Sequence, residues 1–418
     1  MKLFYYLRKT NLILLIYGNI DYILKILQSG SSLSIPYILE LNQILKTSAN
    51  LKNYFYNERD ITKFAISDSY FSKLYTNPSI IKTVENSILD ENTLLDSSST
   101  KLSSIRKEKR KLEDTIKDKL NSFIHSSTYS KYIQENVITI RNNRYVVPIK
   151  DEYRSMVKGF IHDISASGST VFIEPLVVFD LNNELHVLQS EENSEIERIL
   201  SYISSLFAPY INELKEDYIT IGTIDFIFAK AKYAINLDAI LPKINDNKEI
   251  SLIGACHPLI SKDTVVPINI ELGKTFSSLI ITGPNTGGKT VTLKTIGLLC
   301  LMAYSGLFIP AKDESSICIF DNIYADIGDE QSIIESLSTF SSHMSNIVQI
   351  LNNCTSKSLV LLDELGSGTD PIEGSSLALS ILETLKNKGC LTISTSHYSE
   401  LKNYALTSNG FENASMRI

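Results

Sequence analysis

The segment GPNTGGKT, Gly283 to Thr290, places glycines, a lysine and a hydroxyl residue at the spacing G-x-x-x-x-G-K-[ST]. Gly283, Gly287 and Gly288 leave backbone N–H groups free to wrap a phosphate, with Pro284, Asn285 and Thr286 completing the loop. A helix starting at the loop's end adds its positive pole. Lys289 is spaced to reach the β- and γ-phosphates, and the Thr290 hydroxyl to ligate Mg2+. The apolar run LIIT before the loop and TVTLKTIGLL after it supply the strand and helix that this chemistry requires. The expected ligand is ATP with Mg2+.

Two further segments extend the same chemistry. In SLVLLDELGSGTD a buried strand delivers Asp363 and Glu364 to its C-terminal end, where ligands collect in parallel sheets. Asp363 suits Mg2+, and Glu364 is placed to polarise an attacking water. In CLTISTSHYSEL another buried strand delivers His397, which can hydrogen-bond a γ-phosphate. The serine-rich segment GDEQSIIESLSTFSSHMSN imitates a hydrolase triad, with Ser338, Ser341, Ser342, His343 and Asp329. Ser341 and His343 are two apart on a predicted helix and face different ways, so they cannot pair as nucleophile and base. The stripe Met344, Ile347, Val348 and Leu351 makes His343 a structural helix residue.

These groups need a scaffold. From about residue 246, short apolar strands alternate with helices, the pattern of an α/β domain with a mainly parallel sheet. Residues 1 to about 135 read as helical. Leu102, Ile105, Leu112, Ile116, Leu120 and Phe123 form one stripe of a long helix capped within Asp96 to Ser99. A second long helix is expected from about Leu181, with Leu185, Leu188, Ile196, Ile199, Ile203 and Leu206 on its stripe. The first carries a basic run that includes Arg106 and Lys109. The second carries Glu184, Glu191, Glu192, Glu195 and Glu197, so antiparallel pairing sets basic flanks against acidic ones. Between them, Val137–Ile140 and Tyr145–Ile149 read as a hairpin broken at RNNR, and GST before Val171–Ile173 suggests another. This makes an arm with a β tip, whose cations are Arg141, Arg144, Lys150, Arg154 and Lys158.

Composition narrows the classes. A chain of 418 residues with 43% apolar and 21% charged residues is an ordinary globular one, long enough for several cores. The net charge of −7 excludes whole-surface attraction to nucleic acid, so such binding must come from a local patch. Five cysteines, Cys256, Cys300, Cys318, Cys354 and Cys390, show no CxxC spacing and fit a reducing cytoplasm. Arg8 and Lys9 interrupt the apolar N-terminal stretch, and no membrane span is expected.

TGPNTGGKT, STFSSHM, LLDELGSGTDPIEG and STSHYSELK together resemble the MutS family, whose ATPase is related to the ABC type. TIRNNRYVVPIKDEYR, GFIHDISASGSTVFIEP, LNNEL, DFIFAKAKYA and ADIGDEQSIIESLSTFSSHM resemble its second bacterial paralogue, the anti-recombination branch, and the likeness runs from about residue 19 onward. The resemblance implies an ABC-type P-loop ATPase at residues 246–418. It also implies a helical core and ascending lever at 1–135, a clamp β module at 136–180, and a descending lever with return helices at 181–245. It further implies a homodimer in which Ser338 reaches the partner's γ-phosphate, Asp363 and Glu364 serve metal and water, and His397 acts as a switch. Its implied partners are branched or mismatched DNA, ribosomal RNA on stalled ribosomes, or both. Cys256-His257-Pro258 stands where the family has RHP, and the chain stops at NASMRI, before the family's small C-terminal domain linked to nuclease activity. No metal-ligand cluster outside the ATP site is expected. The leading expectation is an ATP-hydrolysing nucleic-acid clamp; the alternative is a non-catalytic ATP- and nucleic-acid-binding module.

Overall fold

The computed structural model describes residues 20–56, 65–284, 287–328 and 339–416. Within them the chain divides into two units, one ending at Asp225 and the other beginning at Phe226.

In the first unit, helices α1 (Ile20–Gln28), α2 (Ile35–Tyr56), α3 (Ala65–Phe71) and α4 (Pro78–Glu85) precede the long α5 (Thr100–Ile124). Ser99 stays extended at the start of α5, and its hydroxyl accepts the Leu102 N–H at 2.9 Å, satisfying one of the helix's orphan donors. The second long helix, α6 (Leu176–Phe207), begins at Leu176 rather than Leu181. Pro175 has no N–H with which to extend the preceding strand, and the chain turns directly into the helix there. The two helices run antiparallel. Ser99 donates to Glu195 at 2.8 Å, while Arg106 and Lys109 each lie 2.8 Å from Glu192. Glu192 and Glu195 therefore sit inside the buried stripe of α6, where an apolar count places Ile196. The side chain of Arg198, then Ser99, holds the Glu195 carboxyl down at about 2.

The module between them is a four-stranded antiparallel sheet in the order β1-β2-β4-β3, with β1 Thr139–Arg141, β2 Arg144–Lys150, β3 Gly159–Ile164 and β4 Thr170–Pro175. Asn142 and Asn143 take φ of 49° and 60°, the left-handed pair that a two-residue hairpin turn needs and that asparagine tolerates. Val147, Ile149, Val171 and Ile173 share one core with Ile116 and Leu120 of α5 and with Val178 and Leu185 of α6.

In the second unit, reached through α7 (Ile211–Asn236), a small sheet has the order β5-β9-β6-β7. Its strands are β5 Lys243–Asn245, β6 Ile250–Ala255, β7 Ile268–Leu272 and β9 Ser316–Cys318. The larger sheet is parallel throughout, in the order β10-β11-β12-β8-β13. Its strands are β8 Ser278–Thr282, β10 Asn322–Asp326, β11 Ser358–Leu362, β12 Leu391–Ser396 and β13 Phe411–Ser415. Successive side chains point to opposite faces. Leu279, Ile281, Leu359 and Leu361 pack with Leu293 and Ile296 of α8 (Lys289–Tyr304) and with the small sheet. Ile280, Val360 and Leu362 pack with Ile347 of α9 (Thr339–Asn353), Ile381 of α10 (Pro371–Lys388) and Leu401 of α11 (Ser399–Thr407). Burial on both faces explains why these strands read as unbroken apolar runs. A Cβ on Gly297 would stand 2.8 Å from Leu361 Cδ1, so glycine sets how closely α8 approaches the sheet. Among the described residues, no helix is long and apolar enough to cross a membrane.

Candidate nucleotide-hydrolysis site

Strands β11, β12 and β8 are neighbours, and the three chemistry-bearing segments leave their C-terminal ends side by side. Gly283 follows β8 with φ 136°, and Gly288 caps α8 in the left-handed region with φ 78°. A side chain is strained in both conformations, which accounts for glycine there. Asn285 and Thr286 lie outside the described residues. Pro284 is exposed, and Thr290 is half-buried at the second position of α8.

Lys289 is 2% exposed. Its ammonium donates to the Gly283 carbonyl and lies 3.3 and 3.4 Å from the two ring nitrogens of His397. Burial pushes the ammonium below the ordinary lysine range, and the carboxylates of Glu364 and Asp363 pull it part of the way back. His397 Nε2 is 3.7 Å from Glu364 Oε1. Lysine, histidine and glutamate from three different strand ends therefore converge.

The carboxylates are fixed by a residue that the motif reading missed. Thr395, buried in β12, donates its hydroxyl to Asp363 Oδ1 at 2.5 Å and accepts the Glu364 N–H at 2.8 Å. The available signal was its place two residues before His397 on a strand facing Asp363. Among the described residues nothing donates to Asp363 Oδ2. A carboxylate oxygen of that kind and a hydroxyl such as that of Thr290 are the hard oxygen donors that Mg2+ takes. Glu364 itself has φ 47°. For a residue with a Cβ such a conformation costs on the order of 1–3 kcal/mol, and strain of that kind collects at functional sites. Behind it, Tyr398 donates to the Gly366 carbonyl at 2.8 Å, and Asp370 caps α10 by accepting the Ile372 N–H at 2.9 Å.

Ser338 and Asp329 lie outside the described residues. His343 is in α9, and its Nδ1 is 2.9 Å from Asp326 Oδ2, while Asn346 donates to Oδ1 of the same carboxylate at 2.8 Å. His343 thus anchors its helix through Asp326, while Val348 of the expected apolar stripe is 54% exposed. Asp326 was not singled out in the sequence. It ends β10, and its carbonyl accepts the Asp363 N–H at 2.8 Å.

The five cations of the β module are not gathered into one patch. Arg141 and Arg144 face each other across the hairpin. Lys150 ends the strand that Arg144 begins, a span of roughly 20 Å at ordinary strand rise. Arg144 points inward. It donates to Glu174 at 2.8 and 3.1 Å and to Asn183 at 2.6 Å, and Glu174, fully buried, also takes His162 at 2.6 Å and Asn182 at 2.7 Å. Arg141 pairs with Asp163 at 3.0 Å and stacks 4.3 Å above Phe172. Arg154 is 3.7 Å from Asp151, and Lys158 is exposed.

Residues 279–418 match the family model for MutS domain V, the P-loop ATPase domain of that family. The chain is 48% identical over 392 residues to "Endonuclease MutS2" of Ruminiclostridium cellulolyticum, covering 94% of this chain and 50% of that protein. It is 49% identical over 381 residues to the protein of the same name from Caldanaerobacter subterraneus, covering 91% and 48%. With that of Clostridium acetobutylicum it shares 48% over 391 residues, covering 94% and 49%. The chain spans about half the length of the curated relatives it matches. These matches show that the chain belongs to the MutS family, on the branch of its second bacterial paralogue.

Proposed function

We propose that the chain is an ATP-hydrolysing clamp on nucleic acid. The observation that carries this reading is the convergence of Lys289, His397 and Glu364 from three adjacent strand ends. The backbone from Gly283 to Gly288 and the Lys289 ammonium hold the phosphates. Thr290 and Asp363 would hold Mg2+, which would supply neutralisation of the phosphate charge. Glu364 holds a water and takes its proton as the water oxygen attacks the γ-phosphorus and the bond to ADP breaks. His397 hydrogen-bonds the γ-phosphate, and Ser338 of a second copy completes the pocket in a homodimer. Hydrolysis gates the grip of residues 136–180 on nucleic acid, with the exposed Arg154 and Lys158 and the half-buried Lys150 as phosphate contacts. The relatives' shared name speaks of an endonuclease, and the family link favours DNA, branched or mismatched, over ribosomal RNA as the bound polymer.

The test is steady-state ATP turnover beside that of Glu364→Gln. Loss of about 100-fold or more is expected for the removal of a general base. Equal turnover in the two proteins would remove Glu364 from this role.

A further inference from the structure

A groove of about 600 Å³ opens in the first unit, where the end of α5 meets the start of α6. Phe123 and Tyr129 line it and stack on each other, with centroids 4.3 Å apart and planes 20° apart. Leu176 and Val177, 53% and 49% exposed, form an apolar wall, and Lys119 and Lys158 stand at the rim. Neither lysine has an ion-pair partner among the described residues, and both are exposed. Asp118 at the same rim offsets one of the two positive charges and leaves the mouth cationic. A groove of this size admits a small ligand. An aromatic stack and an apolar wall beneath unpaired ammonium groups suit a ligand with one flat apolar face and one anionic group.

We infer that this groove takes one unstacked nucleotide of the strand that the clamp holds, the base against Phe123, Tyr129, Leu176 and Val177, and its phosphate between Lys119 and Lys158. The inference rests on the nucleic-acid reading above and adds to it a preference for strands with an extrudable base. Stacking on aromatic side chains tolerates any base, because every base has a flat π face. The groove therefore reads the presence of a loose base and not its identity.

The test uses fluorescence anisotropy with three labelled DNA duplexes: one with a single-base bulge, one with an abasic residue at the bulge, and one fully paired. Wild-type protein is expected to bind the base bulge about tenfold more tightly than the abasic bulge. Ser122→Trp, which fills the groove from an exposed position on α5, should bring that ratio to about one. Lys119→Ala/Lys158→Ala alters exposed side chains only. It should weaken binding to the base bulge and flatten its salt dependence by up to about two units of slope. Equal wild-type affinity for base and abasic bulges, with the paired duplex still bound, overturns the groove inference alone. A ratio that survives Ser122→Trp, or an unchanged slope in the lysine variant, overturns it as well. No binding of the wild type to any duplex overturns the clamp reading, and this inference with it.

Discussion

The Thr395 hydroxyl donates to the Asp363 carboxylate at 2.5 Å while accepting the Glu364 N–H at 2.8 Å. One side chain thus fixes both acidic groups of the candidate site, and it does so from the neighbouring strand. Thr395→Val keeps the shape but removes the hydroxyl, leaving the Glu364 N–H without its acceptor and Asp363 free to turn. Partners of metal ligands typically contribute 10- to 100-fold, so ATP turnover should fall by about that factor, with a matching rise in the Mg2+ concentration for half-maximal rate. Thr395→Ser should restore most of both. An unchanged Mg2+ dependence in Thr395→Val would show that the bridge does not position the metal site.

Asp217 sets a pH dependence on the first unit's stability. Its carboxylate accepts from the Ser48 hydroxyl at 2.6 Å and the Tyr75 N–H at 2.7 Å, yet burial outweighs both and pushes it up from 3.8 to about 6. Because the folded value exceeds the unfolded one, folding favours the protonated form. Stability from this group is therefore fully present below about pH 4 and is lost as pH rises through about 6. Asp217→Asn removes the titration. The difference in urea midpoint between variant and wild type should shift in the variant's favour from pH 4 to pH 7, and a constant difference across that range would refute it.

How much of this was legible depended on whether a residue's partner was local. The Gly283–Thr290 motif, the Asp363–Glu364 pair and His397 each follow an apolar run, so spacing alone marked them as candidates. The Asn142–Asn143 turn and the Ser99 cap were readable for the same reason, since their chemistry is complete within a few residues. Thr395 and Asp326 were not, because their roles depend on which strands are neighbours in the sheet. The charge pattern set the acids of α6 against the basic run of α5, and Glu192 does meet Arg106 and Lys109. What an apolar count passes over is that Glu192 and Glu195 are buried by the groups that receive them. The cations of the β module show the opposite failure. Charge and a loop context suggest exposure, but only the fold reveals that Arg144 turns inward onto Glu174.

Arg144 should accordingly behave as a structural residue. Arg144→Ala leaves Glu174 buried with one strong donor pair removed, a change that typically costs about 3–5 kcal/mol. The urea midpoint should fall sharply at pH 7, whereas Arg141→Ala, whose partner Asp163 is exposed, should move it little. Replacing Arg144 and Glu174 together with apolar residues of similar volume should recover much of the loss. Comparable midpoints for the two single variants would mean that the Glu174 cluster is not the anchor of the hairpin.

Asp326 joins helix α9 to the edge of the candidate site. His343 and Asn346, one helical turn apart, both bind its carboxylate, and its own carbonyl holds the Asp363 N–H. The serine segment at the start of α9 is thereby tied to the strand beside Asp363 through one residue. For Ser338 to act across a dimer, the start of this helix must keep a fixed position relative to the Asp363 carboxylate, and the Asp326 contacts add to the apolar packing of Ile347 and Ile350 in fixing it. Asp326→Ala leaves the backbone bond to Asp363 in place and removes only the helix anchor. ATP affinity within one chain should then change little, because Lys289, Thr290 and Asp363 are untouched. Turnover should fall by about tenfold or more, since an oriented group that drifts by a fraction of its reach loses much of its effect. His343→Gln retains a donor toward Asp326 and should fall less. A variant with weakened ATP binding and undiminished turnover at saturation would place Asp326 with the nucleotide and not with the helix.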